Sequence, residues 1–150
     1  MLFLYKLFGY FIIPLIKLNI YIRLLNRKED KKRYLERFGF SSIKKPNGKI
    51  IWIHASSVGE FKSITNLIEN LQLRFNILVT TTTLTAAIYA KEYFGKKIIH
   101  QYAPLDIYIW VNRFLNNWKP VLIIWIESDL WPITLNLIKK KKIKSILLNS

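Results

Sequence analysis

The residues of this chain that could do chemistry gather at the ends of apolar runs. Ile51-Trp52-Ile53-His54 leads into Ala55-Ser56-Ser57-Val58-Gly59-Glu60. The run 121–126 leads into Glu127, Ser128 and Asp129, then Trp131 and Pro132. Thr80–83 and Thr85 follow a third run, and Tyr102, Pro104 and Asp106 a fourth. If each run is a buried strand, four loops on one sheet edge present hydroxyls and carboxylates. That edge suits a hydroxyl-rich acceptor such as a sugar, because ligands of open α/β sheets bind past the carboxyl ends of the strands.

Glu60 is the candidate chemical centre, a general base that could take a proton from an alcohol. A structural alternative stands beside it. Ser57-x-x-Glu60 fits a capping box, with the glutamate bonding back to the Ser57 amide. Glu127 and Asp129 have a similar alternative as caps, since acidic residues often precede helices. Glu127, however, directly follows six apolar residues and so emerges beside the sheet centre. His54 reads as a core histidine, Trp110 and Trp131 as packing, and Thr80–83 as strand end plus cap. No glycine-rich dinucleotide fingerprint and no P-loop occurs at these turns.

The elements that must position these groups alternate along the chain. Strands are predicted over 50–54, 76–82, 97–102, 121–126 and 144–149. Between them lie helices: one carrying Phe61, Ile64, Leu67, Ile68 and Leu71 on one face, then 84–94, 106–118 and 130–140. Gly95 stops the second of these and Pro120 ends the third. The continuous apolar run of the fourth strand belongs at the centre of a parallel sheet. The expected fold is α/β, a Rossmann-like parallel sheet with helices on both faces. The run Lys139–Lys142 most simply neutralises a helix C-terminus.

Ahead of residue 49 the chain changes character. Residues 1–25 are almost wholly apolar, broken by Lys6, Lys17 and Pro14. The longest uninterrupted run, 7–16, is shorter than a clean span of roughly 20 residues. The segment is expected to associate with a membrane, either tilted across it with snorkelling lysines or lying in the interface. Residues 26–48 form a basic flank, including Arg27, Lys28, Lys31, Lys32, Arg33 and Arg37, and a turn-rich linker. Such flanks contribute about 1 kcal/mol per residue toward anionic lipid. If the first segment spans, they place the rest in the cytoplasm. The globular unit is expected over 49–150.

Lys plus Arg number 24 against 9 acidic residues, a formal net charge of +15. That excess favours a polyanionic partner: nucleic acid, anionic membrane or phosphorylated substrate. The hydrophobic fraction of 51% tilts the choice toward membrane and away from nucleic acid. The absence of cysteine excludes disulfides and thiolate metal sites.

ASSVGE at 55–60, VTTTTLT at 79–85, HQYAPLD at 100–106, IESDLWP at 126–132 and LLNS at 147–150 occur in order. Together with ERFGF at 36–40, they make the whole chain resemble the 3-deoxy-D-manno-octulosonic acid (Kdo) transferases of lipopolysaccharide synthesis. The resemblance implies a membrane-associated inverting glycosyltransferase of the GT-B fold at the inner membrane, its soluble part facing the cytoplasm. It implies that the N-terminal domain receives a lipid A precursor and the C-terminal domain binds CMP-Kdo, with no cofactor and no metal. The family's base falls on Glu60 and its transition-state glutamate on Glu127. Ser56, Ser57 and the Gly59 turn would shape the acceptor's approach, and Asp129 is a further candidate.

The chain departs from the family pattern in three places. The family's TTMTPTG reads here Thr80-Thr81-Thr82-Thr83-Leu84-Thr85-Ala86, which reshapes that loop. ETELWPN reads Glu127-Ser128-Asp129-Leu130-Trp131-Pro132-Ile133, so no role of the family's asparagine carries over. The sequence ends at Ser150, inside the first Rossmann-like unit, and the donor-binding domain is expected to be absent. Two rival readings follow: a non-catalytic, membrane-bound remnant that holds lipid A or nothing, and a basic membrane-surface or nucleic-acid binding module.

Overall fold

The computed structural model describes residues 2–127 and 131–149. Five parallel strands form its one sheet: β1 (Ile50–His54), β2 (Asn76–Thr81), β3 (Ile99–Tyr102), β4 (Leu122–Ile126) and β5 (Lys144–Leu148). Their order across the sheet is β3-β2-β1-β4-β5. The chain moves outward from β1 to β3, then returns to the other side of β1 with β4. The topological switch therefore lies between β1 and β4.

The three inner strands, β1, β2 and β4, are largely apolar on both faces, as a doubly covered parallel sheet requires. Ile51, Ile53, Val79 and Ile124 pack under Phe61, Ile64, Ile68, Ala90 and Phe94. These come from helices α2 (Val58–Ser63), α3 (Thr65–Leu71) and α4 (Leu84–Tyr93) and from their caps Ile64 and Phe94. Trp52, Leu78, Ile123 and Trp125 pack on the opposite face under Val111, Phe114, Leu115, Trp118, Ile133 and Leu137. Those belong to α5 (Tyr108–Trp118) and α6 (Pro132–Lys140). The expected α/β layering, with helices on both faces, is what the chain adopts. β5 is the least covered strand: Ile146 and Leu147 are both nearly half exposed.

Two helices differ from expectation. The single helix over 61–71 is two helices, broken at Ile64 (φ −107°, ψ 9°). There the Ser63 hydroxyl donates back to the Glu60 carbonyl at 2.8 Å, and a β-branched pair, Ile64-Thr65, follows. The third interstrand helix begins at Tyr108, not Asp106. Asp106 instead caps α6 from a distance: its carboxylate accepts from the Ile133 and Thr134 amides and the Thr134 hydroxyl. That long-range cap pins the start of α6 beside the loop that carries Glu127.

The segment 26–48 folds onto the sheet. A 3₁₀ turn, Tyr34–Phe38, ends at Gly39 with φ +76°. A Cβ at Gly39 would meet the Trp110 carbonyl oxygen at 2.0 Å, so only glycine fits. Glu29, Glu36 and Arg37 are buried.

Before it runs α1 (Leu2–Leu25), about 36 Å long at 1.5 Å per residue. Ile13, Ile16, Ile20 and Leu24 face the body of the protein and pack with Phe38, Ile107 and Trp110. The opposite face carries Leu7, Phe11, Leu15, Leu18, Ile22 and Leu25, all exposed. Among the described residues no helix is long and apolar enough to cross a membrane. What α1 has is two apolar stripes, one packed against the protein and one bare.

Candidate functional site

Parallel strands β1 and β4 are in register with His54 opposite Trp125. Ser56 lies two residues beyond His54 and Glu127 two beyond Trp125, so both loops leave the sheet side by side at the switch. The helices they lead into, α2 and α6, pack on opposite faces of the sheet. Loops that part in this way at the strand ends mark where open α/β sheets bind ligands.

Glu60 sits in the first turn of α2. Its carboxylate accepts from the Ser56 amide at 2.7 Å and from the Ser57 hydroxyl at 3.0 Å. The Ser57 Oγ in turn accepts from the Glu60 amide at 3.3 Å. This is a capping box shifted by one residue, since the amide bound is that of Ser56 and not Ser57. The arrangement fixes the carboxylate at the mouth of the β1 loop. Gly59 lies within α2.

Glu127 is exposed, and its backbone has φ +57°, the left-handed region that non-glycine residues rarely occupy. Its amide donates to the Leu148 carbonyl at 2.9 Å. The chain thus turns sharply at the end of β4 on a residue with no conformational preference for doing so. Such backbone strain clusters at functional sites. Asp129, with Ser128, lies outside the described residues.

The third strand end supplies hydroxyls. Thr82 donates to the Ser56 carbonyl from both its amide (3.2 Å) and its hydroxyl (2.9 Å). Thr83 caps α4 by accepting from the Ala86 amide, which matches the strand-plus-cap reading. His54 is buried, bonded through Nδ1 to the Thr80 hydroxyl at 2.9 Å, with its ring edge-on to Trp125 and tilted against Trp131. Trp131 accordingly packs over the β1–β4 junction.

Sequence reasoning missed the charged cluster at the carboxyl ends of β2 and β3. Glu36 accepts from both nitrogens of the Arg33 fork at 2.9 Å, from the Ser42 hydroxyl and from the Tyr102 amide at 2.8 Å. Arg37 bonds Glu29 and reaches the Thr82 carbonyl at 2.6 Å. Arg33 and Arg37 both lie over the Tyr102 ring, at 5.0 and 4.7 Å. Burial pushes the Tyr102 phenol up to about 12, so it stays neutral. A cavity of about 360 Å³ is lined by Ile16, Ile20, Arg23, Arg37, Thr82 and Leu105, between α1 and this cluster. A larger groove, about 590 Å³, lies on the outer side of β3 near His100 and Lys91, away from Glu60.

His100 belongs to this cluster. Arg33 can only donate, so Nδ1 accepts from it at 3.1 Å and the Nε2 proton goes to the Thr81 hydroxyl at 2.9 Å. Burial, then Arg33 and Arg37, lowers its pKa from 6.5 to about 3. The unfolded chain therefore binds a proton that the folded chain refuses between those values. This contribution to stability is full above pH 6.5 and is lost as pH falls toward 3, with a slope of at most about 1.4 kcal/mol per pH unit. The urea midpoint of His100→Gln is expected to fall less steeply than that of wild type between pH 6.5 and 4. Parallel curves would place the acid sensitivity elsewhere.

Fold and site together define a class: an α/β domain with two carboxylate loops meeting at its topological switch and no phosphate-cradling glycine loop. The family model described as 3-Deoxy-D-manno-octulosonic-acid transferase (kdotransferase) matches residues 32–150, and the chain belongs to that family of glycosyltransferases. The chain is 42% identical to the 3-deoxy-D-manno-octulosonic acid transferase of Rickettsia bellii over 139 residues, covering 91% of this chain and 33% of that protein. Against a probable mitochondrial 3-deoxy-D-manno-octulosonic acid transferase of Arabidopsis thaliana it is 40% identical, covering 86% of this chain and 30% of the relative. Against the Haemophilus influenzae transferase it is 34% identical, covering 91% of this chain and 33% of the relative. The chain thus spans about a third of the length of these relatives.

Proposed function

We propose that this chain is the acceptor-side half of a Kdo transferase, which positions a lipid A precursor for attack on CMP-Kdo. The observation that carries the reading is the strand order, which sets the Glu60 and Glu127 loops next to each other at the β1–β4 switch. Glu60 takes the proton of the acceptor hydroxyl as its oxygen bonds to the anomeric carbon of Kdo. The bond from that carbon to the CMP phosphate breaks, and CMP leaves with the electron pair. Attack from the face opposite the leaving group inverts the anomeric centre. The sugar carries oxocarbenium character in the transition state, and Glu127 stabilises it electrostatically. Ser56, Ser57 and Gly59 shape the acceptor's approach, with Asp129 as a further contact. CMP-Kdo sits on a second, GT-B-type domain drawn from the part of the family's length outside these residues. The chain itself requires neither cofactor nor metal.

Lipid A precursor, added to the isolated chain, is expected to bind and to shift the amide signals of Ser56, Gly59 and Glu60. Shifts confined to surface lysines would overturn the acceptor-site assignment. A second reading has an observation in its favour: the Glu60 carboxylate is already engaged by Ser56 and Ser57, which suits a purely structural cap in a lipid A-binding protein without turnover.

The bare stripe of α1, with the basic surface, supports a seat for the acceptor edge against the cytoplasmic leaflet of the inner membrane. The helix lies in the interface, since burying each large apolar side chain is worth about 1.5–3 kcal/mol. Deleting α1 would uncover Ile107 and Trp110, so charge substitution is the cleaner test. Phe11→Glu with Leu18→Glu is expected to release the chain from phosphatidylglycerol vesicles, by more than about tenfold in partitioning. Undiminished pelleting at high salt would refute the interfacial helix.

A further inference from the structure

A continuous chain of hydrogen bonds runs from the last turn of α1 to the carboxylate of Glu60. Arg23 Nε donates to Glu29 Oε2 at 3.1 Å. The other oxygen of Glu29 accepts from Arg37 Nε and Nη2 at 3.2 and 3.1 Å. Arg37 Nη2 also donates to the Thr82 carbonyl at 2.6 Å. The Thr82 amide and hydroxyl both donate to the Ser56 carbonyl, at 3.2 and 2.9 Å. The Ser56 amide donates to Glu60 Oε2 at 2.7 Å.

We propose that Arg37, acting through Thr82 and Ser56, is a positioning residue that fixes the Glu60 carboxylate and couples its order to the seating of α1. The catalytic meaning of this rests on the reading of Glu60 as the base. The physical coupling does not.

Three features support it. Arg37 and Glu29 are almost completely buried, with side chains 6% and 1% exposed, so their bonds are not screened away and their positions are not averaged by solvent. The planar guanidinium reaches a carboxylate and a backbone carbonyl at once, which a lysine cannot do in the same geometry. Thr82 grips Ser56 by two donors to one carbonyl, so the peptide beside the Glu60 contact has little freedom left. A surface arginine held only for solubility would need none of this. Nothing in packing alone requires residues 23, 29, 37, 82, 56 and 60 to be joined in sequence.

The test is amide hydrogen exchange on the 150-residue chain, followed residue by residue by NMR. Arg37→Lys keeps the charge but loses the fork. Thr82→Val keeps the shape and removes one hydroxyl, which guards against a variant that fails to fold. Each is expected to speed exchange at Ser56 by about fivefold or more, the scale of one lost hydrogen bond. Exchange at Trp52 and Ile124 in the sheet centre should stay unchanged. In a Glu60→Ala background, where the Ser56 amide has already lost its acceptor, the same changes should add nothing. Unchanged Ser56 exchange in folded variants would overturn the proposal. So would uniform acceleration of every amide, which marks a merely structural role, or equal effects with and without Glu60. If the coupling is present but Kdo transfer by a reconstituted two-domain protein is indifferent to it, the coupling stands and the base assignment of Glu60 falls.

Discussion

Glu60→Gln, in a protein joined to the donor-binding half of a family relative, is expected to lower the turnover of Kdo transfer by about 10²–10⁴-fold, the usual worth of a general base. Binding of the lipid A precursor should change by less than about twofold, because an amide oxygen can still accept from Ser56. Glutamine separates the two roles of this residue. It keeps the cap, since its oxygen can take the 2.7 Å bond from the Ser56 amide, but it cannot hold a proton taken from an alcohol. Glu60→Ala should lose the same turnover and about 1 kcal/mol of stability besides, the cost of a lost cap. If glutamine supports near wild-type turnover while alanine does not, the side chain is a cap and the base lies elsewhere. The comparison needs both variants, because either alone confuses a missing base with a loosened loop.

The largest effect on stability should come from a residue outside the reacting groups. Glu36→Ala is expected to destabilise the chain by about 3–5 kcal/mol, the range for breaking one partner out of a buried ion pair. Glu36 is 1% exposed and receives the Arg33 fork, the Ser42 hydroxyl and the Tyr102 amide. Its removal takes the carboxylate from a half-buried guanidinium and from a buried strand-edge amide at once. Denaturation in urea measures it, as a fall in midpoint with an unchanged slope. A loss under about 1 kcal/mol would mean that water enters and replaces the carboxylate, and that the cluster is ornamental to the fold.

Much of the architecture was legible because it is local. Runs such as Leu122–Ile126 announce buried parallel strands, and Gly95, with φ +56°, marks the end of α4 as its position suggests. The loops after β1 and β4 were picked out as the acidic edge from residue types alone. Their adjacency needed the strand order, which follows from the switch in direction after β3. What stayed hidden was non-local. Arg33 and Arg37 read as part of a basic flank directed at anionic lipid, because their partners at Thr82, His100 and Tyr102 lie more than forty residues on. Asp106 read as the start of its own helix and turned out to cap another, 27 residues away. The break at Ile64 was missed because apolar spacing continues smoothly across it. Asp129 falls outside the described residues. The capping-box pattern of Ser57 and Glu60 was visible, but the shift to the Ser56 amide depends on the exact curl of the loop.

The sparse cover of β5 has a consequence for how copies of this chain behave toward one another. Wherever no further chain pairs with this edge, Ile146 and Leu147 invite a neighbouring molecule to add its own backbone alongside, the first step toward fibrils. Lys139, Lys140, Lys141, Lys142 and Lys144 stand just before it or within it, and their mutual repulsion acts as a gatekeeper against such stacking. That guard works at a distance set by the Debye length, about 10 Å at 0.1 M salt. Strong brine shortens that distance and weakens the guard, while the apolar core keeps its packing.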